Sequence, residues 1–329
     1  MNELESRICK LTSATSCELG PIIQELWSGY GVIVKATIDG MPIVVKHIDV
    51  TTVRANRRGW QSDFAHHRKV KSYQVETNFY REARFQCSDQ CRVAKFLNAD
   101  VDGNGQNALL ILEDLDTAGY PARHQELDDS QLEACIAWLA NFHSLFLGTS
   151  AQGLWDIGTY WHLDTRPDEY QSMPASPLKS IAPQINERLN SAVHKTIVHG
   201  DAKVANFCFA DESSKRSCGK SQVAAVDFQY AGGGVGVKDL AYLISSCLSE
   251  NEAEEREDEL LNLYFRELSW ALTHHHPEVN ADAVEQEWRS LYPFAWADFC
   301  RFLEGWSPGH WKLNRYSKKI TDRVIDELA

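Results

Sequence analysis

Residues 198–209 read V-H-G-D-A-K-V-A-N-F-C-F, a polar cluster between apolar residues. A strand buries such side chains badly and a helix gains little from the glycine, so the segment reads as a turn next to short strands. Its residue types also suit phosphate and metal chemistry. Phosphoryl transfer needs a carboxylate to orient the attacking hydroxyl and take its proton. It also needs a cation against the moving group, and hard oxygen ligands for magnesium. Asp201 can be the base, Lys203 can face the phosphate, and Asn206 can hold the metal. A hairpin from N-F-C-F to V-A-A-V-D-F (206–228) brings a second carboxylate, Asp227, beside Asn206, and magnesium prefers such oxygen ligands. Taken singly, each of these is an ordinary turn-forming residue.

Beyond chemistry, the spacing carries a resemblance. H-G-D-A-K-V-A-N (199–206) resembles the catalytic loop H-x-D-x-x-x-x-N of the protein-kinase-like fold, and V-D-F-Q (226–229) resembles the metal-binding D-F-G step after it. The H-G-D and D-F-Q forms, G-V-K-D-L-A-Y-L-I (236–244) and L-A-N-F-H-S (139–144) are most similar to small-molecule kinases. These are the aminoglycoside phosphotransferases, the choline kinases and, above all, the ecdysteroid-kinase-like group. The resemblance runs from about residue 20 to 245. It implies ATP and magnesium (Mg2+) as cofactors and the hydroxyl of a small molecule as phosphate acceptor. It implies a two-lobed α+β fold, in which a small antiparallel-sheet lobe with one main helix precedes a larger, mainly helical lobe.

The same resemblance implies roles for residues upstream. Lys46 in I-V-V-K-H-I stands where a strand lysine meets the nucleotide phosphates. Glu76 is the matching helix glutamate, with Glu82 as its competitor in the same helix. The run L-I-L-E-D-L (110–115) resembles the hinge, where Glu113 and Leu115 would offer backbone groups to adenine. S-G-Y-G (28–31), with Gly29 and Gly31, occupies the place of the phosphate-covering turn but is poorer than G-x-G-x-x-G. His199 is expected to support the turn. Asp239 is expected to cap a helix and to brace the loop.

Elements that could position these residues are legible upstream and downstream. Short β-branched runs at 21–27, 32–38 and 42–48, the last two joined by Asp39-Gly40, predict an antiparallel meander. A basic, irregular stretch (51–71) precedes a helix through Y-Q-V-E-T-N-F-Y-R-E-A, followed by strands V-A-K-F-L-N-A and N-A-L-L-I-L-E-D-L around D-G-N-G (102–105). This nucleotide-binding lobe is expected to span 1–115, and the catalytic and substrate-binding lobe 116–329. The second lobe opens on an amphipathic helix (131–146), continues through an irregular connection (150–180), and carries the hairpin with a polar loop at 211–222. G-G-G-V-G (232–236) reads as a flexible segment, either near substrate or merely a connection. Helices follow to the end.

Charge and composition narrow the classes. A net charge of −13 argues against binding to duplex nucleic acid or an anionic membrane, because both need a positive field. No run of about 18 apolar residues is present, and the start M-N-E-L-E-S-R-I-C-K does not read as a signal peptide. Nine scattered cysteines point to reduced thiols in the cytoplasm rather than a disulfide framework. Cys87 and Cys91 lack a second zinc-spaced pair, and His274–His276 read as a solvated loop. The basic run 54–71 is either a solvated loop or a reach toward an anionic substrate. The aromatics at 288, 292, 296 and 299 have helical core spacing, and some can line an acceptor pocket. The sequence leaves two other classes to test: a nucleotide-binding scaffold without turnover, and a metal hydrolase built on His199, Asp201 and Asp227.

Overall fold

The computed structural model describes residues 2–50, 63–103, 105–211 and 222–329. Ahead of the expected meander lies a helix that the sequence reading missed, α1 (Glu3–Thr12). Its signal is present in M-N-E-L-E: the Asn2 side chain accepts from the Glu5 N–H at 2.9 Å, and Glu5 accepts from the Asn2 N–H at 2.7 Å. Such a reciprocal capping box satisfies donors that the first helical turn cannot. Ile8 of α1 is buried against the sheet beside Val34, Ile43 and Ile111.

The meander forms as β1 (Cys17–Glu25), β2 (Gly31–Ile38) and β3 (Met41–Asp49). Asp39 and Gly40 both take positive φ, 47° and 84°, as a two-residue hairpin turn requires. β1 carries Pro21 and two register shifts against β2, which its place at the sheet edge permits. The main helix, α2 (Asp63–Asn78), continues into a π-helical turn at Phe79–Ala83. Residues 63–71 are therefore helix rather than an irregular stretch, and residues 51–62 lie outside the described residues.

The run V-A-K-F-L-N-A is not one strand. β4 (Arg92–Val93) leaves the main sheet, while β5 (Phe96–Val101) stays in it and pairs with β6 (Asn107–Glu113). The result is a five-stranded antiparallel sheet of order β1-β2-β3-β6-β5. The turn before β6 includes Asn104, which is outside the described residues.

The rest of the chain is mainly helical. α3 (Asp129–Leu145) is capped by Asp128 and Gln131 and is buried over most of its surface, which marks it as a central helix. α4 (Pro167–Ser172) falls within the stretch expected as an irregular connection, and α5 (Pro177–Asn190) begins at its end. Ser176 caps α5 and Pro177 opens it, so the start signal was present. Four short strands follow: β7 (Thr196–Val198), β8 (Phe207–Phe209), β9 (Val223–Ala225) and β10 (Gly232–Gly234). β8 and β9 make the expected hairpin, with β4 parallel to β9 on its other side. Of the polar loop expected at 211–222, residues 212–221 lie outside the described residues.

The glycine run 232–236 is not a flexible connection. β10 pairs with β7, and a Cβ at Gly232 would sit 2.2 Å from the Trp155 carbonyl oxygen. The glycines are there because backbone passes against backbone. α6 (Val237–Cys247), α7 (Glu250–His275), α8 (Ala281–Trp306) and α9 (Arg315–Leu328) complete the chain. His274 and His275 end α7 instead of forming a loop. Among the described residues no helix is long and apolar enough to cross a membrane.

Candidate active site

β3 projects Lys46 into a cleft of about 650 Å3, where the residue is 5% exposed. Its ammonium lies 2.6 Å from Glu76 Oε2 on α2 and 3.6 Å from Asp227 Oδ1. Burial alone would lower the Lys46 pKa, but Glu76 and Asp227 outweigh it and hold the ammonium above its ordinary value. The pairing also separates the two competing glutamates. Glu76 is buried on the inward face of α2, whereas Glu82 sits exposed on the π-helical turn.

Asp227 follows β9 with φ of +70°, a left-handed conformation that a non-glycine residue takes only when its surroundings enforce it. The enforcing neighbour is Phe228, fully buried and stacked on Phe79 at 3.8 Å between ring centres. The Gln229 amide donates to Asp227 Oδ1 at 2.6 Å. In turn Lys69 Nζ donates to Gln229 Oε1 at 2.6 Å, joined by the Ser72 hydroxyl at 3.1 Å. Burial pushes the Asp227 carboxyl up, yet Lys46, Lys69 and Lys203 together bring it below the ordinary carboxylate range. The sequence reading did not single out Lys69. The available signal was its spacing of seven from Glu76, which puts both on one helical face.

The loop from His199 to Asn206 is held from below by α6. Asp239, fully buried, accepts from the His199 N–H at 2.6 Å, the Gly200 N–H at 2.9 Å and His143 Nε2 at 3.0 Å. It lies in the first turn of α6, after Gly236 at the N-cap position, so it braces the loop without being the cap. His199 supports the turn as expected: its Nε2 donates to the Val226 carbonyl at 3.0 Å and its Nδ1 accepts from the Asp201 N–H at 3.2 Å. Gly200 has φ of +80°, and a Cβ there would meet the Tyr230 carbonyl oxygen at 2.0 Å.

Asp201 thereby faces the cleft. Its Oδ2 accepts from Lys203 Nζ and from Asn206 Nδ2, each at 3.0 Å, and the Asn206 amide also donates to the Asp201 carbonyl at 2.8 Å. Its Oδ1 is buried and has no hydrogen-bond partner among the described residues. Burial raises the Asp201 pKa, the Asp227 charge adds to this, and Lys203 opposes it. With its nitrogen turned to Asp201, Asn206 has its amide oxygen left to meet a cation. That oxygen and the Asp227 carboxylate, both on the cleft lining, fit a magnesium ion whose other ligands are phosphates and water. Among the described residues no three His, Cys, Asp or Glu side chains form a metal-binding group, and Cys87 and Cys91 are free thiols.

On the sheet side the cleft is apolar, with Ile33, Val44, Ala94, Leu112 and Leu115 in its lining. The Glu113 N–H donates to the Lys95 carbonyl at 2.9 Å, so only its carbonyl can face a ligand, and its carboxylate binds Arg92 and the Lys95 N–H. The Leu115 carbonyl accepts from the Tyr120 N–H at 2.8 Å, while the Leu115 N–H has no acceptor among the described residues. Gly29 and Gly31, expected at the phosphate-covering turn, are not among the residues lining the cleft. Gly31 answers a demand of the sheet: it has φ of +128°, and a Cβ there would lie 2.0 Å from the His47 carbonyl oxygen. Trp27, in the turn ahead of them, lines the cleft instead.

Comparison with known proteins agrees with this layout. Residues 165–276 match the model of the ecdysteroid kinase-like family. Over its whole length the chain is similar to a Ralstonia eutropha protein assigned as an aminoglycoside phosphotransferase, with a TM-score of 0.53 and 14% identity, covering 98% of this chain and 94% of that one. It is similar also to an amicoumacin kinase crystallised with AMP-PNP, Ca2+ and amicoumacin, with a TM-score of 0.52 and 13% identity, covering 100% and 98%. No curated protein matches the sequence. This is the protein-kinase-like fold of the small-molecule kinases. Within that fold the cleft lies between the antiparallel sheet and the helical part, and its far end is aromatic and basic. Tyr160, Arg166, Tyr242, Phe299, Trp306 and Lys312 line that end. Of the aromatics read from α8, Trp288, Tyr292, Phe294 and Trp296 are core, whereas Phe299 and Trp306 reach the cleft.

Proposed function

We propose that the protein is an ATP- and magnesium-dependent kinase that phosphorylates a hydroxyl group of a small molecule. The observation that carries this reading is the Asp201 carboxylate on the cleft: one oxygen is fixed by Lys203 and Asn206, and the other has no hydrogen-bond partner among the described residues. The hydroxyl proton passes to Oδ1 as its oxygen attacks the terminal phosphorus, and the bond from that phosphorus to the bridging oxygen breaks to release ADP. Lys203 then lies beside the transferring group, and Lys46, fixed by Glu76, binds the nucleotide phosphates. The apolar slot would receive the adenine, with the Leu115 N–H available to donate to it and the Glu113 carbonyl available to accept. Asn206 and Asp227 hold magnesium, which when bound offsets charge on the phosphate oxygens. The AMP-PNP and Ca2+ held by the similar amicoumacin kinase support nucleotide and divalent-cation use here. In this reading residues 1–115 are the nucleotide-binding lobe and 116–329 the catalytic and substrate-binding lobe.

The test is ADP release across a panel of hydroxyl-bearing metabolites, with and without magnesium, in wild type, Asp201→Asn and Asp227→Ala. Turnover that needs magnesium should fall roughly 100- to 10,000-fold in Asp201→Asn while nucleotide binding persists. Asp227→Ala should lose both magnesium dependence and activity. Near-normal turnover in Asp201→Asn would remove the assignment of the base. Nucleotide binding without transfer to any acceptor would favour the scaffold, and phosphatase activity without nucleotide would favour the hydrolase.

A further inference from the structure

The far end of the cleft contains a cation that the proposed phosphoryl chemistry does not use. Lys312, in the link between α8 and α9, is 9% exposed and lines the cleft. Its ammonium sits 4.6 Å from the centre of the Tyr242 ring and 5.2 Å from that of Phe299. Its polar contact is the Ser245 hydroxyl, at 3.5 Å, the outer limit of a hydrogen bond. No carboxylate is ion-paired with it among the described residues. The other basic groups nearby do have carboxylate partners: Arg166 lies 3.0 Å from Glu169, which it shares with Arg68 at 4.0 Å, and Lys203 lies 3.0 Å from Asp201.

An ammonium held in an aromatic wall without an anion is costly, and it becomes favourable when a ligand brings the missing charge. Asp201, which already accepts from Lys203 and Asn206, draws the Lys312 pKa up without overcoming burial, and the other carboxylates of the cleft are paired elsewhere. Glu76 is paired with Lys46, Glu113 with Arg92, and Asp114 and Asp116 with Lys35. A cationic acceptor such as a polyamine would thus meet like charge at Lys312. We propose that the acceptor is an alcohol with an apolar or aromatic body and a carboxylate, the carboxylate received by Lys312 while the hydroxyl meets Asp201. Burial already pushes the Lys312 pKa down to about 8, as expected for a cation lacking its counter-ion. The inference rests on the kinase reading above and adds the charge class of its substrate.

The experiment uses the full chain and three matched series of arylalkyl alcohols of graded length, ending in a carboxylate, a primary amide or an amine. Phosphoryl transfer is read as kcat/KM, and magnesium–AMP-PNP binding is the control that the cleft is intact. The carboxylates should exceed both other series by more than about tenfold, the size of a charge-assisted contact. Lys312→Met should erase that ranking, Lys312→Arg should retain it, and Lys312→Glu should favour the amines. Wild type that prefers the amides or amines, or a ranking unchanged in Lys312→Met, would overturn the inference and leave the kinase reading standing. If no alcohol is phosphorylated, the kinase reading fails separately. Calorimetry with 4-(hydroxymethyl)benzoate then decides the site: binding lost in Lys312→Met supports it, and no binding or equal binding overturns it.

Discussion

Asn206 grips Asp201 at two points, its amide donating to the backbone carbonyl at 2.8 Å and to Oδ2 at 3.0 Å. Together with Lys203 on the same oxygen, this leaves Oδ1 as the atom that can take a proton. Burial raises the Asp201 pKa with help from Asp227, against the pull of Lys203. A base acts only when deprotonated, so activity is present above that raised pKa and is lost as pH falls through it. The acid limb of the kcat/KM profile should therefore lie above the ordinary aspartate value of about 4. Lys203→Met removes the opposing cation and should move the limb to still higher pH. A limb at or below the ordinary value, unmoved by Lys203→Met, would contradict the assignment.

Asp239 supports the same loop from below, and its loss should be seen first in stability. Asp239→Ala leaves the His199 and Gly200 N–H groups buried without an acceptor and strips the His143 Nε2 of its partner, leaving the ring only its Nδ1 contact with the Tyr264 hydroxyl. Each orphaned donor costs on the order of 1–3 kcal/mol, so a loss of about 3 kcal/mol or more is expected in urea unfolding. Asp239→Asn keeps one acceptor oxygen and should lose less. Burial pushes the Asp239 carboxyl up, but His143, His199 and the Gly200 N–H hold it below its ordinary value. A depressed carboxyl stabilises the fold above its unfolded pKa, and that stability is lost as pH falls through the folded one. Wild type should therefore lose stability toward acid more steeply than Asp239→Asn.

Gly236 tests the packing beneath the loop without touching a reacting group. Its φ is not in the left-handed region, so alanine there is a purely steric change. The added Cβ would lie 2.3 Å from the Tyr264 hydroxyl and 2.6 Å from both His143 Nδ1 and a Trp288 ring carbon. These neighbours are fully buried and cannot swing away. Gly236→Ala should destabilise by about 1–3 kcal/mol, measured by thermal and urea unfolding. Wild-type stability would mean that α6 can shift outward from α3 and α8.

How far the sequence foretold this architecture depended on how local each signal was. The Asp39-Gly40 turn, the apolar stripe of α3 and the hairpin around Asn206 and Asp227 are written in neighbouring residues and were legible. The Asn2–Glu5 capping box and the Ser176-Pro177 start are equally local, but they lie outside the apolar runs that mark the other elements, so α1 and α5 do not stand out in the sequence. Other features depend on distant chain. Val93 looks like part of the strand containing Phe96, yet it pairs with Ala225 across the molecule. Gly232 looks like a hinge until Trp155 is seen lying against it. Gly31 also has a demand that only the sheet shows, because the His47 carbonyl lies opposite it. Lys69 and Lys312 join the cleft only once α2 and the α8–α9 link have been packed, so charge counting along the chain could not separate them from surface lysines.

The pairing of Lys46 with Glu76 gives the sharpest internal comparison, because Glu82 lies in the same continuous helical stretch and differs only in the face it occupies. Glu76 is buried with its oxygen 2.6 Å from the Lys46 ammonium. Replacing it by Gln leaves a buried cation with Asp227 at 3.6 Å as its remaining carboxylate. The lysine should then be drawn toward Asp227 and away from the phosphates, and should compete with the metal for that carboxylate. Glu76→Gln is expected to lower kcat/KM about 10- to 100-fold and to raise the magnesium concentration needed for half activity. Glu82→Gln changes an exposed carboxylate outside the cleft and should alter neither. Magnesium titrations of the two variants, run with a shared acceptor, decide the matter. Equal effects would mean that the helix rather than the ion pair sets the position of Lys46.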